Sequence, residues 1–215
     1  FLVGAKGISS AKDLKGKVVG ISAAGSVTHL LTLRVLEGIG LDPATDVTIR
    51  PIGGEDVRLQ ALETGIIQAA LLGSQGVIQG EKSGLKMIVA AADVIDSLAF
   101  SGLATTVKKV KENPEQVKRM LRGSMKGLRY VWENKNGTVD VIENWLKLDK
   151  TVASMTYDLA LKSYSRNGEV NDRGILLTVD MINAREKVEK KANVSDLVDY
   201  TQLREARKNL AWPWP

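Results

Sequence analysis

A chain of 215 residues with 44% hydrophobic side chains can bury a proper core, as one large domain or two small ones. It contains no cysteine and a single histidine, which excludes disulfides, thiol catalysis and thiolate metal sites within these residues. The net charge of +5 comes from 30 basic and 25 acidic residues interspersed along the chain, and aromatic residues are only 5% of it, so neither a basic tract with stacking platforms nor a nucleic-acid partner is expected.

The chain opens with a strand, Phe1-Leu2-Val3-Gly4, and a polar connection to Asp13. A strand over 18–22 then runs into a turn of small residues, Ser22, Ala23, Ala24, Gly25, Ser26, Val27 and Thr28. The helix that follows, from about 28 to 39, carries Leu30, Leu31, Val35, Leu36 and Ile39 at helical spacing and stops at Gly38 or Gly40. The β-branched run over 46–52 begins a second unit, turns at Gly53 and Gly54, and places Glu55 and Asp56 where a first helical turn favours negative charge. A third unit has a strand over 68–72, the turn Gly73, Ser74, Gln75 and Gly76, and a short helix to Gly84; 85–92 is a further strand. Repeated strand–helix–strand passages imply parallel strands with helices on both faces, a doubly wound, mostly parallel α/β sheet.

Residues 99–106 read as an extended segment, and beyond them the chain is nearly all helix. Asn113-Pro114-Glu115-Gln116 is a start signal, with a capping Asn and Pro at the first helical position, for a helix to about 133 that breaks at Asn136-Gly137. Further helical periods cover roughly 139–147, 151–164, 171–192 and 201–210. The basic stretch Lys108-Lys109-Val110-Lys111, continued by Lys118, Arg119, Arg122, Lys126 and Arg129, reads as a solvated helix face. Apolar runs such as Ile175-Leu176-Leu177 fall far below the roughly 18 residues of a bilayer-crossing helix, so no direct membrane insertion is expected.

In an open α/β sheet, ligands lie beyond the carboxyl ends of the strands, where helix N-termini offer free N–H donors. The candidate ligand-binding residues are therefore Ser22, Ala23, Ala24, Gly25, Ser26, Val27, Thr28, Gly53, Gly54, Glu55, Asp56, Gly73, Ser74 and Gln75. No catalytic residue, metal site or cofactor is assigned. His29 is the only histidine, beside Leu30 and Leu31, and reads as a packed or solvent-edge residue. A Ser26–His29 pair lacks an orienting carboxylate and an oxyanion site. The three turns carry Glu55 and Asp56 and no cation. Either backbone donors suffice for an anion, or the ligand is neutral, heteroaromatic or weakly cationic, or another part of the protein supplies the counter-charge.

Asp13-Leu14-Lys15-Gly16-Lys17-Val18-Val19-Gly20, Gly40-Leu41-Asp42-Pro43-Ala44-Thr45-Asp46-Val47 and Ala61-Leu62-Glu63-Thr64-Gly65-Ile66-Ile67-Gln68-Ala69-Ala70 resemble, in order and spacing, three blocks of the nitrate, sulfonate and taurine solute-binding proteins, the NMT1/THI5-like group that also contains the thiamine-pyrimidine binders. The resemblance implies a type II periplasmic-binding fold of two lobes and a hinge, with 13–97 as the α/β ligand-binding lobe 2. Residues 1–12 and 98–215 are then crossing strands and the helix-rich remainder of an incomplete lobe 1, whose N-terminal part lies outside these residues. It further implies a non-catalytic periplasmic receptor that binds a small-molecule solute, an organic compound or an oxyanion, in an interlobe cleft and delivers it to the permease of an ABC importer. The iron-bearing, cysteine-rich pattern of the related pyrimidine synthases is absent from a chain without cysteine. The alternative is the effector-sensing domain of a transcriptional regulator, which shares the two-lobe architecture. A homo-oligomer formed through the incomplete lobe or through the tail Trp212-Pro213-Trp214-Pro215 is left open.

Overall fold

The computed structural model describes residues 1–186, 193–208 and 210, which form two compact units, Phe1–Asp96 with Leu148–Lys162 and Ser97–Lys147 with the remainder of the chain. The tail Trp212-Pro213-Trp214-Pro215 and the expected helical stretch 187–192 lie outside the described residues.

In the first unit, β1 (Leu2–Gly4), β2 (Lys17–Ile21), β3 (Val47–Pro51), β4 (Ala69–Leu71) and β5 (Lys86–Val89) make one sheet in the order β3-β2-β4-β1-β5. β2 is parallel to both β3 and β4, with Ile21 opposite Pro51 and Gly20 opposite Ala70. β1 is antiparallel to both of its neighbours, β4 and β5. The sheet is thus doubly wound and mostly parallel, with one antiparallel strand inserted.

Side chains alternate across the sheet because successive Cβ atoms of a strand point to opposite faces. Leu2, Val19, Ala69 and Leu71 point to one face, where they pack with Val35 and Leu36 of α1 (Val27–Gly38). Val3, Ala70 and Leu72 serve the other face, with Ala61 and Leu62 of α2 (Glu55–Glu63) and Val77 of α3 (Ser74–Lys82). The chain moves one way along the sheet from β2 to β3 and the opposite way from β3 to β4. A constant crossover hand then requires α1 and α2 on opposite faces, as observed.

The expected grouping of residues differs in two places. Residues 1–12 sit with the α/β unit because Leu2 and Val3 are buried within its sheet. Residues 148–162 join it too, as α8 (Lys150–Leu161) packs against α3 and Leu159 reaches the second core cluster. After α4 (Ala91–Val94), residues 97–106 have no regular secondary structure.

The second unit is helical among the described residues: α5 (Val107–Glu112), α6 (Pro114–Glu133), α7 (Lys135–Leu146), α9 (Asp172–Glu186), α10 (Val194–Leu197) and α11 (Thr201–Lys208). Pro114 opens α6 as expected, although Asn113 caps it through its backbone carbonyl and not its side chain. The break after α6 falls at Asn134, two residues before Asn136, because the Asn134 side chain accepts the Gly137 N–H at 2.9 Å and caps α7, which starts at Lys135 and not near 139. α11 packs on α6, burying Met125, Leu203 and Ala206. Glu169 ties the preceding loop to α11 through Arg204 and Arg207, at 2.8 Å each.

Candidate ligand-binding site

Because β2, β3 and β4 are neighbours and parallel, the turns that follow them open at one edge of the sheet. The loop after β2 leaves toward the α1 face, and the loops after β3 and β4 leave toward the α2 and α3 face. Loops that part to opposite faces leave a crevice between the strands they follow, so the carboxyl end of β2 is flanked on both sides. All of the residues singled out from sequence lie in these turns or in the first turn of the helix that follows. The boundaries move slightly: Ser74 and Gln75 belong to the first turn of α3, with Gly73 at its cap.

In the first turn Gly25 takes φ 75°, a left-handed conformation open to glycine, and this bends the chain from β2 into α1. Ser26 caps α1, accepting the His29 N–H at 3.2 Å, and donates its own hydroxyl to the Ala23 carbonyl at 2.8 Å. The hydroxyls of Ser22 and Thr28 join Ser26 in a three-membered cluster, and Thr28 Oγ1 also accepts the Ser22 N–H at 3.3 Å. The Ser26 proton is therefore committed within the turn. The amides of Ala23, Ala24, Val27 and Thr28 have no protein partner among the described residues and are the donors this turn can offer. Gly25 N–H donates to His29 Nδ1 at 2.9 Å, so the imidazole braces the turn.

The second and third turns are joined by two side chains of α2. Glu55 reaches across to the start of α3, where its Oε1 accepts the Gly73 N–H at 2.9 Å. Gly76 makes room for it: a Cβ there would stand 2.7 Å from Oε1. Arg58 is 4% exposed and donates to the Gly53 carbonyl through Nη1, and to the Leu71 carbonyl through Nε and Nη2 at 3.3 and 3.2 Å. It fixes the end of β4 to the turn after β3. Burial pulls its guanidinium below the ordinary arginine value, and the Glu55 carboxylate opposes that shift.

Arg58 is the residue bracing these turns that the sequence alone did not single out. Its spacing of three and four residues to the buried Ala61 and Leu62 placed it on the inner face of α2, which is the signal that could have found it. It also qualifies the expectation that the turns carry no cation: one stands directly behind them, with its N–H groups turned to backbone carbonyls. The resulting rim presents free amides, a hydroxyl cluster and the carboxylates of Glu55 and Asp56. Among the described residues no group of three or more His, Cys, Asp or Glu side chains could hold a metal ion, and no helix is long and apolar enough to cross a membrane.

Residues 2–137 match a family model described as NMT1/THI5 like. Over 134 residues the chain is 26% identical to the riboflavin-binding protein RibY of Chloroflexus aurantiacus, covering 62% of this chain and 38% of that protein. The chain spans less than half the length of the curated relatives it matches. Among solved structures, it is similar to the ligand-binding component of an ABC-type import system from Staphylococcus aureus with zinc bound, at a TM-score of 0.77 and 15% identity, covering 95% of this chain and 69% of that one. It is also similar to the alkanesulfonate-binding protein SsuA from Xanthomonas axonopodis pv. citri bound to MOPS, at a TM-score of 0.67 and 16% identity, over 91% of this chain and 67% of that one. The desulfurization enzyme DSZB shares the fold too, at a TM-score of 0.66 and 12% identity, over 97% of this chain and 76% of that one.

Proposed function

The chain belongs to the NMT1/THI5-like family, and on that premise we propose that it is the solute-recognising part of a receptor serving an ABC-type importer. The solute is a small organic molecule or an oxyanion, the partner is the importer's permease, and the place of work is outside the cytoplasm. The observation that carries the reading is the convergence of three turns at the carboxyl edge of adjacent parallel strands, with the amides of Ala23, Ala24, Val27, Thr28, Gly54, Ser74 and Gln75 unspent among the described residues. Backbone donors at helix N-termini bind a solute's polar atoms without a dedicated side chain. Relatives named for riboflavin and for alkanesulfonates support a receptor role and span two charge classes of solute.

The reading includes no catalytic step. Ser26 donates its hydroxyl to the Ala23 carbonyl, and His29 Nδ1 is taken by the Gly25 N–H, so neither is arranged as nucleophile and base. In this reading the rim of the α/β unit supplies the solute's hydrogen-bond partners. Melting-shift measurements on the complete gene product across a library of riboflavin, alkanesulfonates, inorganic oxyanions and amines test the proposal. At least one solute is expected to stabilise the protein in a concentration-dependent way. A flat response across the library contradicts the receptor reading.

A further inference from the structure

Resting on the receptor reading, we propose that Glu55 is the residue that sets the charge class of the solute. Its carboxylate fills the place at the start of α3 that an anion's oxygens would take. The rim then accepts solutes that are uncharged, or that bring a donor to Glu55, and turns away sulfonates and other oxyanions at this turn.

The start of a helix attracts anions because its first N–H groups are unpaired and carry partial positive charge. At α3 that position is already occupied. The cap residue, Gly73, has no side chain to serve the helix, and Glu55 serves it from the neighbouring α2, 2.9 Å from the Gly73 N–H. The carboxylate lies close against the first turn. A Cβ added at Gly73 would meet its two oxygens at 3.2 and 3.3 Å, and one added at Gly76 would meet Oε1 at 2.7 Å. Two glycines therefore shape its seat.

The buried cation of α2 does not restore the site to an anion. Arg58 stands behind the turn with its Nε, Nη1 and Nη2 hydrogen-bonded to the carbonyls of Leu71 and Gly53, and it offers the rim no donor through these bonds. Asp56, exposed beside Glu55 in the first turn of α2, adds a second carboxylate. A like charge at hydrogen-bond distance repels an incoming anion more strongly than one helix end attracts it. A solute amine, amide or hydroxyl gains an acceptor at the same spot.

Amide NMR of the complete gene product, titrated separately with MOPS and with sulfate, tests this directly. In the wild type the Ser74, Gln75 and Gly76 signals are expected to stay in place with either anion. In Glu55→Ala they are expected to shift saturably, with an apparent affinity at least about tenfold tighter than the wild type. Glu55→Gln, which removes the charge and keeps an acceptor for the Gly73 N–H, is expected to fall between the two and guards against a folding defect in the alanine variant. Wild-type signals that move with MOPS or sulfate as they do in Glu55→Ala overturn the proposal, and so does silence in both variants. The receptor reading is judged separately by the melting-shift library on the wild type. An oxyanion as the best stabiliser there would sink the role of Glu55 and leave the receptor standing; no stabiliser at all would sink the receptor, while the NMR titration still decides on Glu55.

Discussion

Two residues of α2, Glu55 and Arg58, do more to define the rim than any feature visible in the chain's local pattern. Sequence shows Glu55 as an acidic residue in a first helical turn, where it would complement its own helix. Its actual partner, Gly73, lies on the next unit, 18 residues away, and becomes a neighbour through the strand order alone. Ser26 was legible, since a serine before an apolar helical period is a cap signal and the structure puts its oxygen on the His29 N–H. Ser26→Ala is therefore expected to cost about 1 kcal/mol in urea denaturation, the usual loss for a removed cap. Arg58→Met leaves the carbonyls of Gly53 and Leu71 without the donors that now satisfy them, and should cost more, about 2–3 kcal/mol by the same measurement. An Arg58→Met protein as stable as the wild type would show that the buried guanidinium does not hold the two turns together.

At the level of elements, local signals found the strand–turn–helix units almost intact, because a β-branched or apolar run, a glycine turn and a helical apolar stripe agree in each. Non-local facts escaped. Nothing in Leu2-Val3-Gly4 says that this strand runs antiparallel between β4 and β5, and nothing in the period of α8 says that it packs on α3. The link between α3 and α8 offers a clean test of which interaction matters. Asp149 caps α8 by accepting the Val152 N–H at 2.9 Å and also meets Lys82 of α3 at 3.4 Å, with both side chains largely exposed. Exposed ion pairs contribute little, whereas caps contribute consistently. Asp149→Ala is expected to lower the urea midpoint, while Asp149→Asn, which can still cap, and Lys82→Ala stay near the wild type. Equal losses in Lys82→Ala and Asp149→Ala would reverse that ranking.

For the molecule as a whole, the shifted carboxylates all move in one direction. Asp13, Asp46 and Asp149 in the first unit, and Glu169, Asp199 and Glu205 in the second, are held below their ordinary values, chiefly by hydrogen bonds they accept. A carboxylate whose folded value is depressed stabilises the native state above its unfolded value, and that contribution is lost as pH falls through the folded one. Stability should accordingly decline on acidification from about pH 4.5, the ordinary value for Glu169, downward. Glu169→Gln should flatten that decline relative to the wild type when urea midpoints are compared across the acid range, because the Arg204 and Arg207 partners no longer depend on a titrating group. The central claim, that three turns on adjacent parallel strands form one solute-binding rim, is tested most directly by hydrogen–deuterium exchange. The measurement compares the complete gene product with and without the solute that most raises its melting temperature. Slowed exchange at 23–28, 53–57 and 73–76 together is the expected result; slowed exchange elsewhere, with these three turns unchanged, would contradict it.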